Sequence, residues 1–194
     1  GGSVSLNEIA NTVESTITGS AIVDAGAVSV AASNATIESI TASIGASKGS
    51  LGTAGTVSIN EISNTIETTI SGTQQVAGIP LGAGAISLSA RDETTIRAIS
   101  GAVGVSKNIG FGAAVSYNAV NNTVSAHLDS SSIDTTGSLS LAAESASLIE
   151  TVTIGVAGGK SLGLSGSVSL NSITNTVDAY IGNNADIEAS DVSL

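Results

Sequence analysis

Apolar and small polar side chains alternate one by one along most of this chain. Ile40, Ala42, Ile44 and Ala46 form one such run, and Val152, Ile154 and Val156 another. Longer runs are Leu51, Thr53, Gly55, Val57, Ile59, then Ile109, Phe111, Ala113, Val115, Tyr117, then Leu162, Leu164, Gly166, Val168, Leu170. A period of two puts successive side chains on opposite faces of a β-strand, whereas a helix repeats every ~3.6 residues. The same stretches are rich in Gly, Ser, Thr and Val, which do not favour helix. The pattern predicts an all-β protein.

A short phrase recurs four times within this alternation. It reads Asn7-Glu8-Ile9-Ala10-Asn11-Thr12-Val13, then Asn60 to Ile66, Asn118 to Val124 and Asn171 to Val177. Each copy follows Val-Ser and one large residue: Val4-Ser5-Leu6, Val57-Ser58-Ile59, Val115-Ser116-Tyr117 and Val168-Ser169-Leu170. The phrases are spaced 60−7 = 53, 118−60 = 58 and 171−118 = 53 residues. A fixed period of this size is the mark of a repeat architecture. We divide the chain into repeats at 2–54, 55–112 and 113–165, with a partial fourth at 166–194. The second carries an insertion near 73–82, where the chain's one proline, Pro80, marks a surface corner. The array reads as a segment of a longer polypeptide.

Within the phrase, every second residue gives Asn171, Ile173, Asn175, Val177, Ala179, Ile181, and in the third copy Asn118, Val120, Asn122, Val124, Ala126, Leu128. Two asparagines per copy therefore share a strand face with aliphatic residues. A buried, unpaired amide costs about 1–3 kcal/mol, so the arrangement needs a partner for each. Stacking identical residues in register supplies one, as in the Asn ladders of stacked sheets. The predicted structural ladder comprises Asn7, Asn11, Asn60, Asn64, Asn118, Asn122, Asn171 and Asn175. The alternative is that the Asn pairs mark turns, where Asn is also favoured.

Between repeats, the distance from Val28, Ile86 or Leu139 to the next phrase is constant: 60−28, 118−86 and 171−139 all equal 32 residues. This stretch reads as a long β-hairpin, with Lys48, Lys107 or Lys160 in a Gly- and Ser-rich turn. The returning strand has one face of small residues: Gly52, Ala54, Thr56, Ser58, then Gly110, Gly112, Ala114, Ser116, then Gly163, Ser165, Ser167, Ser169. Glycine inside a strand marks close approach of another backbone, so we expect a second sheet packed tightly across this face. The simplest architecture is a repetitive β-solenoid of stacked coils with a β-hairpin per ~53-residue repeat. Stacked β-sandwich-like layers are the alternative.

Composition narrows the function. The chain has no Cys, Met or Trp, one Phe and two Tyr, so neither disulfides nor a large aromatic core stabilises it. Its formal charge is −11, from 16 acidic and 5 basic residues. That excludes nucleic acid and an anionic membrane as expected partners, since both require Lys/Arg clusters. Membrane insertion is not expected: no run reaches the ~20 apolar residues of a spanning helix, and three aromatics cannot form the girdles of an outer-membrane barrel.

Candidate chemistry is sparse, and no enzyme activity is expected. His127, the single histidine, occupies a position held by Thr16, Thr69 and Tyr180 in the other repeats, which reads as a solvent-facing strand site. No nucleophile motif, phosphate loop or zinc spacing is present. No cofactor is expected. Calcium ligands could come from Asp186, Glu188 and Asp191, or from Asp129 and Asp134, but these acids do not recur between repeats. Solvated surface charge is the better reading.

The run Val-Ser-Leu-Asn-x-Ile-x-Asn-Thr-Val-x-Ala-x-Ile at Val168 to Ile181, followed by Ala185-Asp186-Ile187-Glu188-Ala189, resembles the repeats of very large filamentous bacterial adhesins. These are the filamentous-haemagglutinin-like and leukotoxin-type surface proteins. The resemblance spans all four copies and implies a secreted or bacterial cell-surface, extracellular protein with a β-helical stalk. The function expected from it is a structural stalk or fibre segment, whose partners are the neighbouring repeats of the same chain. A module binding a host or neighbour-cell surface glycan or protein, and a subunit that self-associates into filaments, are the alternatives.

Overall fold

The computed structural model describes residues 1–19, 27–32, 36–73 and 84–194. Strands account for 86% of the described residues, with no helix. In chain order they are β1 (Gly2–Thr18), β2 (Ala27–Ala32), β3 (Thr36–Ser47), β4 (Leu51–Ser71), β5 (Ala85–Ser106), β6 (Ile109–Asp129), β7 (Ser132–Asp134), β8 (Ser138–Gly158), β9 (Leu162–Ile181), β10 (Asp186–Glu188) and β11 (Asp191–Ser193).

The strands form two large sheets and one small one. The first sheet has the order β1-β4-β6-β9, the second β11-β8-β5-β2 with β3 also on β5, and β7 pairs with β10. Every pairing among the described residues is parallel and in register with the sequence repeat: Asn7 lies opposite Asn60, Asn60 opposite Asn118, and Asn118 opposite Asn171. Ile99 lies opposite Ile40 and Val152 in the same way. Each repeat thus adds one rung to each large sheet, and the chain alternates between them. Like sits on like at almost every position, which β-branched residues favour by packing along the stack.

The hairpin expected in each repeat does not form. Its outgoing strand (β3, β5, β8) and returning strand (β4, β6, β9) belong to different sheets and pair with their counterparts in adjacent rungs. They meet face to face, through a turn at Lys48, Lys107 or Lys160, rather than edge to edge. The reason is the small-residue face noted above. A Cβ built on Gly104 would overlap the Phe111 backbone, and one on Gly112 the Val156 carbonyl. With backbones that close, the strands satisfy their N–H and C=O groups along the stack and none remain for a hairpin ladder.

The space between the sheets narrows steadily along the strands. At the wide end, Ile66, Ile70, Val124 and Leu128 of the first sheet pack on Ile86, Leu88, Leu139 and Leu141 of the second, with Ile133 of β7 closing the side. Further along, the core is Ile62, Ile96, Ala98 and Val120. At the narrow end it shrinks to Ala54, Ala102 and Ala114 beside the glycines. The cross-section is a wedge whose taper is written in side-chain volume.

This taper decides which face of the returning strand is inside. In the wide half the apolar residues face inward, while in the narrow half the small face expected to pack against a second sheet is the buried one and the apolar row points out. Val57 and Phe111 are 37% exposed, Val115 39% and Ile99 47%, all on central strands with a rung on either side. The corner after Thr73 belongs to the insertion, whose residues 74–82 lie outside the described residues, as does the short strand read at Ala21–Ala25.

Candidate functional site: the stacked asparagine phrase and the outer face beside it

The eight asparagines form two columns between the sheets, and the columns work differently. In the first, Asn7 Nδ2 donates to Asn60 Oδ1 at 2.7 Å, Asn60 Nδ2 to Asn118 Oδ1 at 2.7 Å, and Asn118 Nδ2 to Asn171 Oδ1 at 2.8 Å. The second hydrogen of each amide goes to the serine two residues earlier: Ser5 at 3.1 Å, Ser58 at 3.3 Å and Ser116 at 3.1 Å. Asn60 and Asn118 are fully buried, and this pairing is why they can be.

In the second column, Asn11, Asn64, Asn122 and Asn175, the side-chain carbonyl accepts from a backbone instead. The Asn11 N–H donates to Asn64 Oδ1 at 3.2 Å, Asn64 N–H to Asn122 Oδ1 at 3.0 Å, and Asn122 N–H to Asn175 Oδ1 at 3.4 Å. The backbone pairing of β4 with β6 skips Ser63 and Asn64 at this point. The amide nitrogens of Asn122 and Asn175 then reach across to the second sheet, whereas that of Asn64 is buried without a hydrogen-bond partner. Asn122 Nδ2 donates to Asp92 Oδ2 at 2.7 Å and to Thr94 Oγ1 at 3.0 Å. One rung on, Asn175 Nδ2 donates to Ser145 and Ser147, both at 2.9 Å.

Asp92 is the residue sequence reasoning missed. It is fully buried, and it accepts from Thr94 at 2.7 Å, Ser145 at 3.1 Å and Asn122. A buried carboxylate persists only when hydrogen-bonded on this scale. The sequence signal was available: Asp92 has the parity of the inward Leu88 and Ala90, while Arg91, Glu93 and Arg97 have the parity of the outer face. Outside, Arg97 Nε meets Glu150 at 2.7 Å and Arg91 bonds Glu93 and Glu144, exposed pairs of small energetic value.

His127 points outward, as expected, yet is only 9% exposed. The Tyr180 ring of the next rung stacks on it, with centroids 4.9 Å apart and an interplanar angle of 2°. Thr69 donates its hydroxyl hydrogen to Glu67 at 2.9 Å, so His127 Nε2, 3.1 Å from that hydroxyl, is the donor of their contact. Glu67 and Asp129 lie 3.4 and 3.5 Å from the same Nε2. A hydroxyl–imidazole–carboxylate relay needs the acid on the opposite ring nitrogen. Here Nδ1 is buried without a hydrogen-bond partner, so the geometry is not such a relay.

Partial desolvation, followed by the charges of Asp129, Glu67 and Asp178, holds the Tyr180 hydroxyl above its ordinary pKa. A raised folded-state value means that the folded protein keeps the proton more tightly. Its contribution is present below the unfolded tyrosine range and is lost as pH rises through the folded value. Thermal stability is therefore expected to fall in the alkaline range, and less steeply in Tyr180→Phe. Ultraviolet titration of Tyr117→Phe, which leaves one tyrosine, should place Tyr180 above an unperturbed phenol; coincidence with free tyrosine would refute the assignment.

Among the described residues, no group of three or more His, Cys, Asp or Glu side chains is arranged to hold a metal ion. Asp186 and Glu188 lie on β10 and Asp191 on β11, while Asp129 ends β6 and Asp134 ends β7. No helix among the described residues is long and apolar enough to cross a membrane. No protein-family model matches the chain, and neither a curated protein nor a solved structure is significantly similar to it.

Proposed function

We propose that this chain is a segment of a β-solenoid stalk or fibre, one coil per repeat, contributing length and stiffness to an extracellular bacterial surface protein. The observation that carries the reading is the register. Two large sheets, each parallel and each advancing one rung per repeat, pair residue for residue along nearly their whole length. A stack of this kind gains nearest-neighbour interface energy with each coil and is rigid along its axis. Its interior is filled by ladders and close backbone contacts, which serve stacking. The extracellular placement rests on the resemblance of the repeats to filamentous adhesins.

Rung spacing makes the proposal measurable. Each added repeat should lengthen the particle by only ~4.8 Å, the strand separation in a sheet. Electron microscopy or small-angle scattering of concatenated copies of this array tests it. Growth of tens of ångströms per repeat would mean separate globular units and would overturn the solenoid. Deleting residues 74–82 should leave attachment to cells or glycans unchanged if the segment is a spacer; loss of attachment would favour an adhesion module at that corner.

A further inference from the structure

The narrow half of the first sheet presents an apolar outer face with no partner. We infer that this face pairs with the same face of a second copy of the chain, giving a two-fold lateral dimer. Four observations converge on that occupant.

The first is composition. Two of the chain's three aromatic side chains, Phe111 and Tyr117, stand outward here, 37% and 41% exposed, among Val57, Val115, Leu164 and Val168. Exposed aromatics on an apolar field mark the anchors of protein interfaces. The second is area. Three rungs of nine residues and a fourth of five, ~4.8 Å apart and ~3.3 Å per residue, give a field of roughly 500 Å², in the range of the largest patch a monomer leaves exposed. Two such fields together bury about 1,000 Å², enough for a reversible specific dimer. The third is periodicity. The side chains form rows at the rung spacing, and a second copy has rows at the same spacing, so the contact made at one rung repeats at the next along the whole stack.

The fourth is charge. No acidic residue occurs in 39–60, 98–118 or 151–171, which hold all three lysines of a chain with net charge −11. Glu8 and Glu61 begin the acidic part of the same outer face. With the two-fold axis along the stack, strands cross antiparallel, and the Lys48 and Lys107 tips of one copy lie over Glu61 of the other. A lipid bilayer fits less well: the lysine turns would lead into the hydrocarbon, at a cost of ~2.5–3.5 kcal/mol each.

Sedimentation velocity of the 194-residue chain, from micromolar to sub-millimolar concentration, tests the inference. A reversible monomer–dimer equilibrium is expected. Val115→Lys should weaken it at least tenfold with an unchanged far-ultraviolet spectrum, and Thr123→Lys, outward on the same strand but in the polar half, should not. Glu61→Lys should weaken it severalfold, and Lys48→Glu with Glu61→Lys should restore it, a rescue that loss of folding cannot imitate. A parent that stays monomeric throughout, or a Val115→Lys variant that dimerises like the parent, would overturn the proposal. So would a monomeric parent that floats with phosphatidylglycerol vesicles and loses flotation in Val115→Lys, because the face would then belong to lipid.

Discussion

Gly104→Ala should lower the urea midpoint of the array by the equivalent of about 3 kcal/mol or more, whereas Gly166→Ala should leave it unchanged or raise it. Both are glycines inside long strands, on opposite faces of the narrow half. A Cβ at Gly104 meets the carbonyl oxygen, carbonyl carbon and nitrogen of Phe111 in the facing sheet; a Cβ at Gly166 meets nothing within 4 Å. The Phe111 backbone cannot yield, because β6 is hydrogen-bonded to β4 on one side and β9 on the other, and β5 is likewise held by β3 and β8. Relief requires the sheets to separate, which opens the Ala54, Ala102 and Ala114 contact beside it. Overpacking of a rigid core costs typically 1–3 kcal/mol and more where backbone must move. At an unhindered site, Gly→Ala gains about 0.4–1 kcal/mol through the unfolded chain. Equal midpoints for the two variants would mean that the sheets are not in backbone contact.

Asn122→Leu is the second large effect, expected to cost on the order of 2–5 kcal/mol, since each buried group left without its hydrogen-bond partner costs about 1–3 kcal/mol and a carboxylate more. Leucine matches asparagine in branching and in side-chain heavy-atom count, so the main loss is one of hydrogen bonding. Asp92 would lose its 2.7 Å amide donor and Asn64 the acceptor of its backbone N–H, both in a buried interior. Thr123→Val, one residue on and exposed, should stay within about 0.5 kcal/mol of the parent. Thermal or urea unfolding followed by circular dichroism decides it. If Asn122→Leu melted with the parent, the cross-sheet network would contribute nothing to the stack. The two losses act at different levels of the wedge, so the double variant is expected to be additive.

The two asparagine columns show how far a sequence can be read. That both residues share a face with Ile62, Ile66, Val120 and Val124 followed from parity. Which amide bonds its counterpart, and which caps a backbone and reaches across, did not follow. That difference depends on what stands opposite: for Asn122 it is Asp92 and Thr94, 30 and 28 residues earlier in the chain. The serine that completes the first column was legible, since Ser5, Ser58, Ser116 and Ser169 precede the phrase at the same parity in every copy. Asp92 was legible by parity too, but a lone aspartate among Arg91, Glu93 and Arg97 looks like surface charge until its face is assigned.

Everything that depends on period was legible in the chain itself. Alternation specified strands, and four phrases specified the register of one repeat on the next. Constant spacing located the turns, and the small face announced a backbone approaching closely. The partner in each approach depends on how the sheets pack in space. A strand pair joined by a tight turn has the same alternation whether it closes edge to edge as a hairpin or face to face across two sheets. The choice lies in the third dimension: glycine and alanine let the sheets converge, and convergence turns the large apolar residues outward. Inside and outside in the narrow half were therefore set by the volume between two sheets, which no single strand records.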